Sequence, residues 1–219
     1  MILGIGWATL DPAQNAIVRV LTATLHEGGH YLAAIATGAK AFGMTINVDG
    51  SGHVSIGTTD PLQAILTAAS GMLTVALVSA VFLYSGLTRI GMHVFLATIG
   101  LLCIVLCVLV AEDPEVSLVL LCVGAITLFV GYMPGGAFLK SICLLYLAFV
   151  LFLGVLASVP YAYAEFTSLQ PEPKPSDSKI IADALGAEIQ YVGNALVGLM
   201  VLIYATSAIF VAAWLHQND

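Results

Sequence analysis

The chain has 219 residues, 60% hydrophobic and only 9% charged, with a mean hydropathy of +1.03 and a net charge of -7 at pH 7. Apolar stretches long enough to cross a bilayer recur along the whole length, which excludes a soluble body held by a single anchor. The acidic balance and the lack of any basic patch exclude nucleic acid as a partner.

The opening MILGIGWATLDPAQ carries no basic residue before its apolar run and no small-residue cleavage site, so no cleaved signal peptide is expected. Asp11-Pro12 pairs an N-cap residue with a proline at the first helical position, and predicts a helix to about Gly38 with HEGGH near its middle. Residues 39–59 then alternate, AFGMTINV and HVSIGTT around Asp49-Gly50-Ser51-Gly52, the pattern of a short β-hairpin. Asp60-Pro61 repeats the start signal for a second helix to about Ser85. Its Ala68, Ala69, Ser70 and Gly71 allow close backbone approach, and the expected neighbour is the HEGGH helix.

A third span is expected over 88–110, ended by the acidic break AEDPE at 111–115, and a fourth reaches about Tyr132 before the turn MPGG. The fifth runs from about Phe138 to Ser158. A polar loop over 160–178, containing SLQPEPKPSD, cannot lie in lipid-exposed hydrocarbon and marks one membrane face. Ser176-Asp177-Ser178 then opens a helix that continues, with a break near Gly186, through a sixth span to about Trp214.

The fold class is therefore an all-α polytopic membrane protein, with about six transmembrane helices, one short β-hairpin between the first two, and a single domain over 1–219. Cys103, Cys107, Cys122 and Cys143 fall inside apolar segments and are read as small hydrophobes, with neither disulfides nor a cysteine metal site. Lys40, Lys174 and Lys179 lie on the hairpin side, and Arg89 and Lys140 on the other, so basic residues fix no orientation.

His26 and His30 stand four residues apart, so on a helix both imidazoles project from one face and can converge on one ion. Glu27 is beside that ion, not on it. A carboxylate there can take the proton of a zinc-bound water, whose pKa falls to about 7, and return it to the leaving amine, which is metal-assisted amide hydrolysis. A random chain of this composition would hold the pattern about 0.003 times. A polar seam joining helices is the competing reading, but three ionisable groups near mid-span cost several kcal/mol without a metal or partners. Gly28 and Gly29 each weaken the helix by about 1 kcal/mol against alanine, and a closely packed neighbour would give them a use.

A catalytic zinc needs a third protein ligand and an open position for water. Six alternating spans put the 160–178 loop on the side where the first helix ends, and His30 lies roughly 12 Å of helix rise from that end. Asp177 sits on this face at a helix start that could dip inward, although a plain capping role also fits it. Asp183 is the reserve, and Glu112 and Asp113 share the face within the acidic break. His53 reads as a surface or packing residue, and Asn194 as a helix-to-helix hydrogen bond.

Three blocks together resemble the site-2 protease type of intramembrane zinc metalloprotease, in its short, bacterial, single-domain branch. They are LHEGGHYLAAIATGAK at 25–40, VDGSGHVSIGTT at 48–59 with the following TAASGMLTVAL, and SDSKIIADALG at 176–186. The resemblance implies Zn2+ on His26 and His30, Glu27 as catalytic base, and a hairpin acting as a membrane-associated strand beside the active site. It also favours Asp177 as the remaining metal ligand, although the LDG motif of larger relatives is absent. The implied activity is hydrolysis of a membrane-protein substrate in or near its transmembrane segments, within the lipid bilayer of a bacterial cytoplasmic (inner) membrane. Larger relatives place the catalytic end toward the cytosol. A zinc-binding scaffold or regulator that cuts nothing is the alternative. A transporter ranks last, since it has no need of a glutamate beside paired histidines.

Overall fold

The computed structural model describes residues 15–58, 60–109, 113–166 and 175–218. The helix carrying HEGGH, α1 (Ala16–Thr37), is capped by Asn15, whose extended backbone (φ -85°, ψ 106°) stands outside the helix. Its side chain accepts from the Ile17 and Val18 N–H groups at 3.0 and 3.3 Å. The helix thus starts four residues later than the Asp11-Pro12 signal predicts; those two residues lie outside the described ones. Gly38 ends it in the left-handed region (φ 79°), where its N–H reaches the last carbonyls.

The hairpin follows where alternation places it. Strand β1 (Lys40–Ile46) pairs antiparallel with β2 (Gly52–Gly57), Thr45 opposite His53 and Ile46 opposite Gly52, with a register irregularity between Ala41 and Gly43. In the turn, Asp49 accepts from the Ser51 N–H at 2.8 Å and from its hydroxyl at 2.6 Å. The hydroxyl bond from Ser51, opposed by burial and helped by the nearby Arg19 charge, holds the Asp49 carboxyl below its ordinary value.

The hairpin folds back along α1 and does not project away from it. Arg19 Nε donates to the Val48 carbonyl at 3.1 Å, and Gly50 lies so close to Arg19 that an added Cβ would stand 3.0 Å from its Cβ. Gly52 rests on Glu27. The turn therefore lies deeper than the end of α1 by about 16 Å or more, eleven residues of rise from Gly38 to Glu27.

Helix α2 (Pro61–Thr88) begins as read, with Asp60 accepting from Leu62 N–H at 2.8 Å and proline in the first turn, and it runs three residues past the expected Ser85. It is the hub of the molecule. The helices α1, α5 (Ala137–Ser158), α6 (Asp177–Leu185) and α7 (Ile189–Asn218) all pack on it. Hydroxyls reinforce the crossings: Ser79 donates to Ala148 O of α5 at 2.9 Å, and Ser207 of α7 to Ala80 O at 3.1 Å. Helices α3 (Met92–Leu109) and α4 (Pro114–Tyr132) pack chiefly on each other, α4 starting at the Asp113 cap of the acidic break.

Among the described residues, four helices, α2, α4, α7 and α5 with the turn that follows it, are long and apolar enough to cross a membrane, and α3 is a shorter apolar helix. Helix α1 matches them in length but carries the polar motif and packs on α2 and α5. Their outward surfaces expose Leu77, Leu101, Phe129, Phe149, Leu202 and Phe210, as a surface solvated by lipid requires. The chain is an all-α, multi-pass integral membrane protein of about six spans with one β-hairpin between the first two.

Residues 167–174 of the polar connection after α5 lie outside the described ones, and the structure shows its two ends. The connection begins with a 3-10 turn (Val159–Tyr163), and Phe166 bridges Pro175. Gly186 (φ 64°) does break the C-terminal helix, separating the short α6 from the spanning α7, which continues past Trp214.

Candidate metal centre

One helical turn on α1 brings the His26 and His30 rings to a centroid separation of 4.6 Å, nearly perpendicular at 89°. Their Nε2 atoms stand 3.0 Å apart, and Oδ2 of Asp177, from the first turn of α6, lies 3.1 Å from the first and 3.4 Å from the second. In a tetrahedral zinc site with bonds near 2.05 Å, two ligand atoms are separated by about 3.3 Å. The three observed edges match that figure. Two neutral imidazoles and one carboxylate are a donor set suited to Zn2+, and on one face of a tetrahedron they leave the fourth corner open.

The surroundings fix the rings from behind. Nδ1 of His30 lies 2.7 Å from the Thr67 carbonyl of α2. A carbonyl only accepts, so the proton belongs on Nδ1 and the Nε2 lone pair faces the cluster. Gly71, one turn further along α2, forms a cradle for both rings. A Cβ there would stand 2.6 Å from His30 Nε2 and 2.8 Å from His26 Cε1. Of the motif's own glycines, Gly29 packs against Ser70 and Thr74 of α2, an added Cβ meeting Ser70 O at 2.7 Å, while Gly28 faces open space. The close-neighbour reading therefore holds for Gly29 alone.

Glu27 is 7% exposed and lies against the first residue of β2, where a Cβ on Gly52 would meet its Cγ at 2.8 Å. It lines, with His26, His30 and Asp177, a cavity of about 920 Å³. The hairpin turn and β2 form one wall, and Gly154, Ala157, Ser158 and Tyr161 of α5 and its following turn form another.

The other candidates fall elsewhere. Asp183 is exposed and forms an i,i+4 ion pair with Lys179. Asp113 caps α4 through Glu115 N–H at 2.8 Å, and Glu112 lies outside the described residues. His53 lines the cavity wall, its Nδ1 2.7 Å from the Thr45 hydroxyl across the strand pair. Asn194 accepts from the Tyr163 hydroxyl at 3.0 Å. The four cysteines are free. Among the described residues, His26, His30 and Asp177 are the group of potential ligands that converges. Sequence reasoning missed the supports: Thr67, Gly52 and the cradle at Gly71. Gly71 had a signal, as the glycine of a small-residue run expected to face the HEGGH helix.

The family model described as Peptidase M50B-like matches residues 2–214, nearly the whole chain. The chain belongs to that family. No curated protein and no solved structure matches it. At the family level this M50B-like chain is a membrane metallopeptidase of the site-2 protease type.

Proposed function

We propose that this M50B-like protein hydrolyses peptide bonds in or near transmembrane segments of other membrane proteins, as a single domain in a bacterial cytoplasmic membrane. In this reading His26, His30 and Asp177 hold a zinc ion and Glu27 is the general base. The convergence of those three donor atoms, with a buried glutamate one residue from a ligand, carries the reading.

His26, His30 and Asp177 would hold the zinc ion, which would supply Lewis acidity to the scissile carbonyl and to a water molecule. The remaining work belongs to side chains and backbone. Glu27, its side chain restrained by the Gly52 backbone, takes the proton from the attacking water. It holds that proton on a carboxylate oxygen and delivers it to the nitrogen of the leaving amine as the C–N bond breaks. The Thr67 carbonyl keeps the His30 proton on Nδ1 throughout. An extended substrate pairs with the edge of β2, which borders the cavity beside Glu27, so that the amide is unwound before it is cut.

The test is reconstitution of the full chain with a single-span membrane substrate, followed by zinc analysis and cleavage assays. Glu27→Gln keeps wild-type zinc and loses cleavage by about 100-fold or more. His26→Ala and Asp177→Ala lose zinc. Wild-type cleavage by Glu27→Gln would remove Glu27 as the general base, whereas no cleavage by the zinc-loaded wild-type protein would favour a zinc-binding scaffold.

A further inference from the structure

We propose that Ser176 is a positioning residue for the metal centre, setting the place of Asp177 by tying α6 to the turn that ends α5. This rests on the reading of Asp177 as a zinc ligand. Asp177 opens a helix of only nine residues, too short to hold its own geometry in isolation. A ligand atom must nevertheless lie within about 0.2 Å of its bonding distance. Something outside α6 has to fix its first turn.

Ser176 supplies three connections there and is only 4% exposed. Its hydroxyl oxygen accepts from the Lys179 N–H at 3.1 Å, which caps α6. The same hydroxyl donates its proton to the Ala164 carbonyl. Its backbone N–H donates to Glu165 O at 3.1 Å. The Ala164 end is itself anchored on α7. Gly193 lies so close to the turn that a Cβ would stand 2.5 Å from Ala162 O and 2.7 Å from the Tyr163 ring, and the Tyr163 hydroxyl donates to Asn194. A continuous path of packed or hydrogen-bonded groups thus runs from α7 through the turn to Ser176 and on to Asp177.

Capping alone does not specify serine, because glycine caps almost as well, within a few tenths of a kcal/mol. The donor to Ala164 does require a hydroxyl. That difference separates the two roles.

The experiment uses the full chain in detergent, with zinc affinity measured by competition against a chromophoric chelator and the site geometry read from the absorption spectrum of the cobalt-substituted protein. Ser176→Ala and Ser176→Gly are both expected to weaken zinc by about 10- to 100-fold and to alter the cobalt spectrum, and Ser176→Thr to restore both. Tyr163→Phe moves zinc affinity in the same direction by a smaller factor. Wild-type affinity and spectrum in Ser176→Gly would overturn the proposal and leave Ser176 a cap. Should Ser176→Ala fail to fold, the Gly and Thr pair carries the test. Asp177→Ala is the control: full zinc binding by that variant would refute the ligand assignment itself, whereas loss of zinc there with normal Ser176→Gly refutes only the tie.

Discussion

Gly71 and Gly28 differ by what surrounds them, and their alanine variants separate space from helix propensity. A Cβ at Gly71 would fall inside contact distance of both imidazoles, whose positions are fixed by Thr67 and by the i,i+4 spacing. Gly71→Ala is therefore expected to lower zinc content at least 10-fold in metal analysis while the helices, read by circular dichroism, persist. At Gly28 nothing lies within 4 Å, so alanine removes a helix penalty of up to about 1 kcal/mol and should raise the unfolding temperature or leave it unchanged. The motif residues were legible in the sequence because i,i+4 geometry is local. The cradle at Gly71 and the carbonyl at Thr67 were not, because they depend on how α2 crosses α1. Asp177 lies between these cases: alternating spans place it on the side where the first helix ends, but its approach to the histidines is a tertiary fact.

Among the elements, the hairpin was readable from alternation and from its Asp-Gly-Ser-Gly turn, while its course was not. A period of two identifies strands and says nothing about where a two-stranded unit packs. The contacts of Arg19 with Val48 and of Gly52 with Glu27 turn it back along α1, so that β2 walls the cavity. Proline at Val54 or Ser55 removes a backbone donor and disrupts the strand without touching a proposed ligand. Cleavage should fall while zinc content stays constant; unchanged cleavage would eliminate strand pairing as the mode of substrate binding. Asp11-Pro12, the start signal read from the sequence, lies four residues ahead of the Asn15 cap at which α1 begins. The Asn15 hydrogen bonds to Ile17 and Val18 mark the observed start of α1. Gly186, by contrast, was a usable stop signal, since a left-handed residue after a helix is the position glycine fills.

For the whole molecule, α2 joins the motif helix to the C-terminal half, and the α3–α4 pair stands apart from the cluster. Chelation of the metal should therefore loosen one part of the protein more than another. Hydrogen exchange in detergent is expected to quicken at α6 and at the C-terminal half of α1 after zinc removal, and to remain as before in α3 and α4. Uniform acceleration would indicate that the metal supports the fold as a whole. The span count was legible because hydropathy is additive along a sequence. The central place of α2 was only partly so, through its run of small residues.

The donors of the cluster lie far apart in sequence, His26 and His30 on α1 and Asp177 on α6, just ahead of α7. Translation delivers the N-terminal part first. A growing chain already inserted up to its fifth span thus still lacks the third donor, together with the serine and the α7 surface that position it. With Asp177 as a ligand, the proposed centre cannot assemble until α6 and α7 have emerged, so its chemistry is withheld from neighbouring membrane proteins while α1 to α5 are being inserted.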